Sequence, residues 1–254
     1  MGMLDGKVAL ITGAGSGIGQ GIAFALAKEG VAIAVTGRTE SKLIDTCKAI
    51  ESFGGKAIPI VCDVTKKEQI GPTVEKTVKA FGGLDILVNN AVDGVTIGPL
   101  LNLTDEQLQL GFDAGPIATL RFMRAAYPHL KARGGGTILN FISSAAIRWD
   151  ARYYSGYAAV KQAIRSLTRG AAAEWGVDGI RALNIAPHAN SPALKGWIES
   201  RPKEAEEFFK TIPLGRIGDC EKDIGRAVVF LVSPAAQYLT GATIPLDGGQ
   251  AYFG

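Results

Sequence analysis

Short runs of Val, Ile, Leu and Ala recur along the chain near Val8–Thr12, Ala32–Thr36, Lys56–Val61, Asp85–Asn89, Thr137–Ile142, Ile180–Ile185 and Thr243–Leu246. Within each run the apolar residues follow one another instead of alternating with polar ones, the pattern of strands covered on both faces. Between them lie longer segments of helical period, near Ile18–Lys28, Ser41–Phe53, Glu68–Phe81, Thr104–Arg133, Tyr154–Trp175 and Glu221–Val232. Parallel strands need a crossover between successive members, so this alternation predicts an α/β fold: a doubly wound, parallel, seven-stranded sheet with helices on both faces. Gly115-Pro116 should break the fourth helical segment, while Gly30 and Gly134-Gly135-Gly136 act as stops. No repeat or low-complexity linker appears, so residues 1–254 read as a single nucleotide-binding and catalytic domain. One stretch, Pro187–Pro213, departs from the βα rhythm, and an insertion after a parallel strand falls at the ligand-binding edge; 187–213 is therefore a candidate substrate lid.

Composition narrows the class. Hydrophobic residues make up 47% and charged residues 20%, which suits a folded globular chain. A net charge of +3 without a run of basic residues gives no footprint for a nucleic-acid partner. Cys47, Cys62 and Cys220 are odd in number, scattered and free of CxxC spacing, which argues against a disulfide framework or zinc site, predicts no metal and suits the reducing cytoplasm. The opening MGMLDGKVALITG has no charged region followed by a long apolar stretch, and Gly6 stands where myristoylation needs Ser or Thr. Nor is there an apolar stretch of about 18 residues, so no membrane partner is expected.

Directly after the first strand, Thr12–Gly19 reads TGAGSGIG and opens into a helix. Glycines there permit a tight turn and the close approach of a pyrophosphate, and the free N–H groups of the helix stabilise its charge. A lone glycine cluster is weak; strand before and helix after make it a dinucleotide motif. The second strand ends in Gly37 where an acid would bind a ribose diol, and Arg38 follows, which favours NADP(H) over NAD(H) through a 2′-phosphate. Arg38 could equally be a solvated surface side chain. Asp63, after the third strand, could accept from an adenine amino group or cap the next helix.

Together with Asp63-Val64, NNAV at Asn89–Val92, Ser143-Ser144, YAAVK at Tyr157–Lys161, Asn184 to Pro187 and a terminal LTGATIPLDGG, the order and spacing of these motifs resemble the short-chain dehydrogenase/reductase family over essentially the whole chain. The resemblance implies a Rossmann-type fold, nicotinamide-dependent exchange of hydride with an alcohol/carbonyl pair, and a homotetramer. With the glycine motif it gives a coenzyme set of Gly13, Ser16, Gly17, Ile18, Gly19, Arg38, Asp63, Val64, Asn90, Tyr157, Lys161 and Pro187.

Tyr157 and Lys161 are four apart in a helical pattern and share a face. Alone, such a pair is usually an ordinary helix surface pair. The resemblance makes Tyr157 the acid/base, Lys161 its tuner and a ribose ligand, and Ser144, thirteen residues before Tyr157, the donor to the substrate oxygen, with Ser143 its nearest competitor. A neighbouring ammonium and the positive nicotinamide of the oxidised coenzyme are together expected to lower the tyrosine pKa.

Three positions depart from the family pattern. Gly115 stands where the family has a catalytic asparagine at a helix distortion, and Asp113 is the nearest polar side chain. Pro116 lacks an N–H, so the helix should still distort and present a free carbonyl for a relay water. Val92 and His188 stand where glycines are usual, and His188 reads as a pocket-wall residue. Arg148, Trp149, Arg152, Tyr153 and Tyr154, with Trp197 of the lid, outline an aromatic and basic pocket for a cyclic ketone or an acyl group, or else support helix packing or an oligomer contact. Two readings stand: an oxidoreductase on a small carbonyl or alcohol, and a nucleotide-binding regulatory or scaffold protein with little turnover, which the changes at Gly115, Val92 and His188 motivate.

Overall fold

The computed structural model describes residues 2–91, 96–148 and 152–253; Val92 and Trp149 lie outside the described residues. The strands are β1 (Val8–Thr12), β2 (Ala32–Gly37), β3 (Ala57–Val61), β4 (Ile86–Asn89), β5 (Gly136–Phe141), β6 (Ile180–Pro187) and β7 (Thr243–Leu246). They form one sheet in the order β3-β2-β1-β4-β5-β6-β7, and every pairing is parallel. The doubly wound seven-stranded sheet expected from the apolar runs is therefore present.

Alternate residues of each strand feed different layers. Val8 and Leu10 of β1 pack with Ile70, Val74, Phe122 and Met123 on one face, whereas Ala9 and Ile11 pack with Ile22, Leu26 and Val228 on the other. The period-2 geometry is intact, but both faces are dry, which is why no polar alternation marks the sequence. The covering helices are α1 (Gly17–Lys28), α2 (Glu40–Ser52), α3 (Lys67–Phe81), α4 (Asp105–Phe112), α5 (Ala118–Ala132), α6 (Ser155–Trp175) and α9 (Arg226–Val232). Between α4 and α5 the chain makes a wide π-type turn over Asp113–Ile117, with Gly115 at φ −95° and ψ −105°. The break expected at Gly115-Pro116 is thus real: proline supplies no N–H and cannot continue the α ladder.

Two further helices, α7 (Pro192–Ser200) and α8 (Pro202–Lys210), have no counterpart among the segments of helical period in the sequence. Each opens on a proline, whose fixed φ suits a first helical position, and Ser191 Oγ caps α7 by accepting from Leu194 N–H at 3.3 Å. The two are nine residues each and break at Arg201-Pro202, so neither makes the long periodic stretch by which the longer helices stand out.

At the end of the sheet away from the loops discussed below, Asp85 is 3% exposed. Its carboxylate accepts from Lys7 Nζ at 2.9 Å, Arg133 Nε and Nη2 at 3.2 and 3.1 Å, and Val8 N–H at 3.0 Å. It ties the start of β1 to the end of α5. Asp85→Ala would leave the Val8 amide without its buried acceptor while Lys7 and Arg133 turn to water, and urea melts should show a loss of about 1–3 kcal/mol.

Candidate active site

The order of the sheet reverses at β1, because the chain runs outward to β3 and then returns to place β4 on the other side of β1. The crevice at the carboxyl ends of β1 and β4 is where an open α/β sheet binds ligands. There the backbones of the two strands are clasped. Thr12 Oγ1 accepts from Asn90 N–H and Ala91 N–H, both at 3.0 Å, and Asn90 Nδ2 donates to the Thr12 carbonyl at 3.0 Å. Gly13 (φ +68°) and Gly17 (φ +58°) adopt the left-handed conformation that makes the turn. A Cβ on Gly19 would strike the Gly13 carbonyl and sit 2.6 Å from Asn90 Nδ2, so Gly19 seats α1 beneath the turn.

Above this turn lies a cleft of about 460 Å³. Gly13, Ser16, Gly17, Ile18, Arg38, Asp63, Val64 and Asn90 all line it; Gly19, Tyr157, Lys161 and Pro187 do not. The lining also includes Lys42, Ser191 and Pro192, none of which the sequence reading singled out as a coenzyme contact. Ser16 precedes α1 without a side-chain cap, which leaves the first N–H groups of the helix to another acceptor. The α3 cap position is Lys66, so Asp63 is not a helix cap: its Oδ1 accepts from Thr65 N–H and Oγ1 at 3.0 and 2.8 Å. Burial by itself pushes the Asp63 carboxyl up, but the Thr65 bonds and the charges of Arg38 and Lys66 outweigh it and hold it below the ordinary value.

The second group lies at the ends of β5 and β6. Lys161 is 4% exposed; its Nζ donates to the Phe141 carbonyl at 2.8 Å and stands 5.4 Å from the centre of the Tyr157 ring. Ser144 is buried and opens a short 3₁₀ turn. Ser143, whose Oγ accepts from Ala145 N–H at 3.2 Å, lies near enough to Tyr157 to oppose the upward push on its phenol.

Burial pushes the Tyr157 phenol up, the neighbouring Tyr154 adds to this, and Ser143 opposes it. The expected fall counted an oxidised nicotinamide as well as an ammonium; the protein's own groups act the other way, because desolvation of the phenolate exceeds what these contacts return. Burial also lowers the Lys161 ammonium to about 8.

Beneath these residues runs a row that the sequence reading did not identify. Asn89, Asn140 and Asn184 are register partners across β4, β5 and β6, with Asn89 Nδ2 donating to Asn140 Oδ1 at 2.8 Å. Asn140 Nδ2 donates to Thr168 Oγ1 of α6 at 2.8 Å, and Thr168 Oγ1 lies 2.7 Å from Asn184 Oδ1. The signal was available: an asparagine stands inside the apolar run of each of these strands, where an amide must find partners.

Over the site, the His188 ring lies 5.0 Å from Phe208 and Phe208 lies 5.6 Å from Trp197, each edge to face. Burial lowers the His188 pKa, and its buried Nδ1 has no hydrogen-bond partner. Among the described residues no cluster of His, Cys, Asp and Glu is arranged to hold a metal ion, and no helix is long and apolar enough to cross a membrane.

A family model described as enoyl-(acyl carrier protein) reductase matches residues 13–251. The chain is 41% identical over 257 residues to a 12α-hydroxysteroid dehydrogenase of a Clostridium species, covering 98% of both proteins. It is 38% identical to the short-chain reductase protein NovJ of Streptomyces niveus, covering 96% of this chain and 94% of that one. Among solved structures, a 7α-hydroxysteroid dehydrogenase in complex with NADH and 7-oxo glycochenodeoxycholic acid superposes with a TM-score of 0.92 at 31% identity, over 98% of this chain and 95% of that one. A short-chain type dehydrogenase/reductase from Mycobacterium ulcerans gives 0.91 at 28% identity, over 97% and 90%. With its crevice, glycine turn and Tyr–Lys helix in the places described, the chain belongs to the short-chain dehydrogenase/reductase family, nicotinamide-dependent enzymes that interconvert alcohols and ketones.

Proposed function

We propose that the protein is an NADP(H)-dependent oxidoreductase acting on a ketone or secondary alcohol carried by an alicyclic ring system, with Tyr157 as the acid/base. The observation that carries the reading is the shared edge of the sheet: the glycine cleft at β1 and β4, and the Tyr157–Lys161 pair against the ends of β5 and β6. A dinucleotide fits this cleft on the geometry of its floor, since the turn is built of glycines whose Cβ atoms would fill it or strike its backbone. When bound, the coenzyme supplies or accepts a hydride at the nicotinamide ring.

In this reading Ser16, Gly17 and Ile18 offer main-chain N–H groups to the pyrophosphate, and Asp63 receives the adenine amino group while Val64 and Asn90 border the nucleotide. Arg38 and Lys42 line the same cleft just beyond Gly37, with no carboxylate in that position to hold a ribose diol, which supports a 2′-phosphate. Tyr157 Oη transfers the proton, and a hydroxyl of the Ser143-Ser144 pair polarises the substrate oxygen. Lys161, anchored on Phe141, places a positive charge beside the phenol and reaches the coenzyme ribose. The segment 187–213 serves as lid, and its Trp197–Phe208–His188 wall gives an apolar ring a flat surface to lie against. The hydroxysteroid dehydrogenases among its relatives support the ring-ketone substrate class.

Oxidation of NADPH by the purified protein against cyclic, aliphatic and acyl ketones tests the assignment. Tyr157→Phe should lower kcat at least about 100-fold, as expected for loss of a general acid; unchanged turnover in that variant would refute the role of the phenol.

Replacing Arg38 by Ala removes a charge-assisted contact, for which a loss of about 1.5–3 kcal/mol is usual. The KM for NADPH should therefore rise roughly 10–100-fold while that for NADH stays within about two-fold. Equal effects on both coenzymes would show that the cleft does not read the 2′ position.

The buried lysine also leaves a mark on stability. Its folded pKa, about 8, lies below the ordinary 10.5, so between those values the unfolded chain holds a proton that the folded chain has released. The Lys161 contribution to stability must rise with pH through that window and stay level below it. Urea melts of the coenzyme-free protein should show the stability difference between wild type and Lys161→Met growing in favour of wild type from pH 8 to 10. A difference that stays flat from pH 7 to 10 would contradict the burial of a charged ammonium.

A further inference from the structure

Tyr157 and Lys161 can do their work only if α6 stands at a defined distance from the end of β5, and the contact that sets that distance is made by the residue between them. Val160 is 5% exposed and packs into the junction of α4 and the π-type turn. Two glycines four apart, Gly111 at the end of α4 and Gly115 inside the turn, meet it there. A Cβ on Gly115 would lie 2.5 Å from Val160 Cγ1, and one on Gly111 would lie 3.3 Å from Val160 Cγ2 and overlap Thr96 Cγ2. The Cγ1 methyl of Val160 therefore occupies the space that a side chain on Gly115 would need, and its Cγ2 methyl packs tightly against the Gly111 position, whose own side-chain space Thr96 fills. Interiors packed to this density do not absorb an added or missing methyl without a shift of the elements on either side.

We propose that Val160 is a positioning residue: seated in the notch of Gly111 and Gly115, it fixes the height of α6 and so the placement of Tyr157 and Lys161 against Ser143 and the Phe141 carbonyl. The inference rests on the reading of Tyr157 and Lys161 as the proton-handling pair. It gives the wide turn at Asp113–Ile117 a purpose, because the non-helical Gly115, with no side chain, leaves room there for Val160 of α6. It also accounts for the absence of a side chain at position 115, whose space the neighbouring helix has already filled.

A size-swap series tests this. Val160→Ala, Gly115→Ala and the double variant are compared in NADPH-dependent reduction of the best ketone of the panel. The Tyr157 ionisation is followed separately by ultraviolet difference titration in the presence of NADP⁺, with Tyr157→Phe as blank. Because misplacing reacting groups by a fraction of an ångström is costly, each single variant should lower kcat roughly ten-fold with the KM for NADPH little changed. Each should also move the Tyr157 ionisation, and the double variant, in which the methyl introduced at position 115 takes the place of the lost Cγ1 methyl of Val160, should recover most of both. If Gly115→Ala does not fold, Val160→Ala and the double variant still decide the matter. A double variant no better than Val160→Ala overturns the proposal. So do single variants that lose only melting temperature while kcat and the ionisation stay put. Tyr157→Phe separates the two levels: full turnover in that variant overturns the proton-handling reading and this inference with it, whereas loss of turnover without the size-swap rescue overturns only the role of Val160.

Discussion

Every strand of this sheet is parallel, so each must end on the same side, and each return to the other side must be made by a crossover, carried here by the helices that cover the dry central strands. The remaining features of the molecule depend on that constraint. It gathers the loops after β1, β2, β3, β4, β5 and β6 along one edge, where Gly13, Arg38, Asp63, Asn90, Ser143 and His188 follow the strands. It also makes the crevice between β1 and β4, because only there do the crossovers part to opposite directions. The clasp of Thr12 and Asn90 then fixes the two strand ends to each other, and the glycine turn is built on that clasp.

Burial governs the electrostatics of the second half of the site. Tyr157 and Lys161 are both pushed toward their neutral forms by loss of water, the phenol upward and the ammonium downward. Taken alone the protein does not make the phenol a good base; it supplies a dry, rigid location in which an added positive charge acts strongly. The Asn89–Asn140–Thr168–Asn184 row serves the same end mechanically, since it bonds the ends of three strands to α6 through amides that have no access to water.

Much of this was legible in the chain. The apolar runs near Val8–Thr12 and Thr243–Leu246 coincide with β1 and β7, and the break at Gly115-Pro116 is where the helix opens. Proline and glycine act through local geometry, so their effects can be read from sequence. The lid helices α7 and α8 could not be read in the same way, because two nine-residue helices show few turns of periodicity and are held by the packing of Phe208 on His188 and of Trp197 on Phe208, which is tertiary. Lys42 was missed for a related reason: on a helix surface it looks like any solvated lysine, and only the fold brings it to the rim of the cleft.

By itself, then, the sequence determined the α/β class, the glycine turn between strand and helix, and the helical spacing that puts Tyr157 and Lys161 on one face. These follow from backbone periodicity and from residues with special φ and ψ, which operate within a few positions of the chain. Tertiary structure alone decided that burial raises Tyr157 and lowers Lys161, and that Val160 fills the space beside Gly115. Each of these depends on atoms far apart in sequence sharing one small, water-poor volume, and neither spacing nor composition encodes how such a volume is filled.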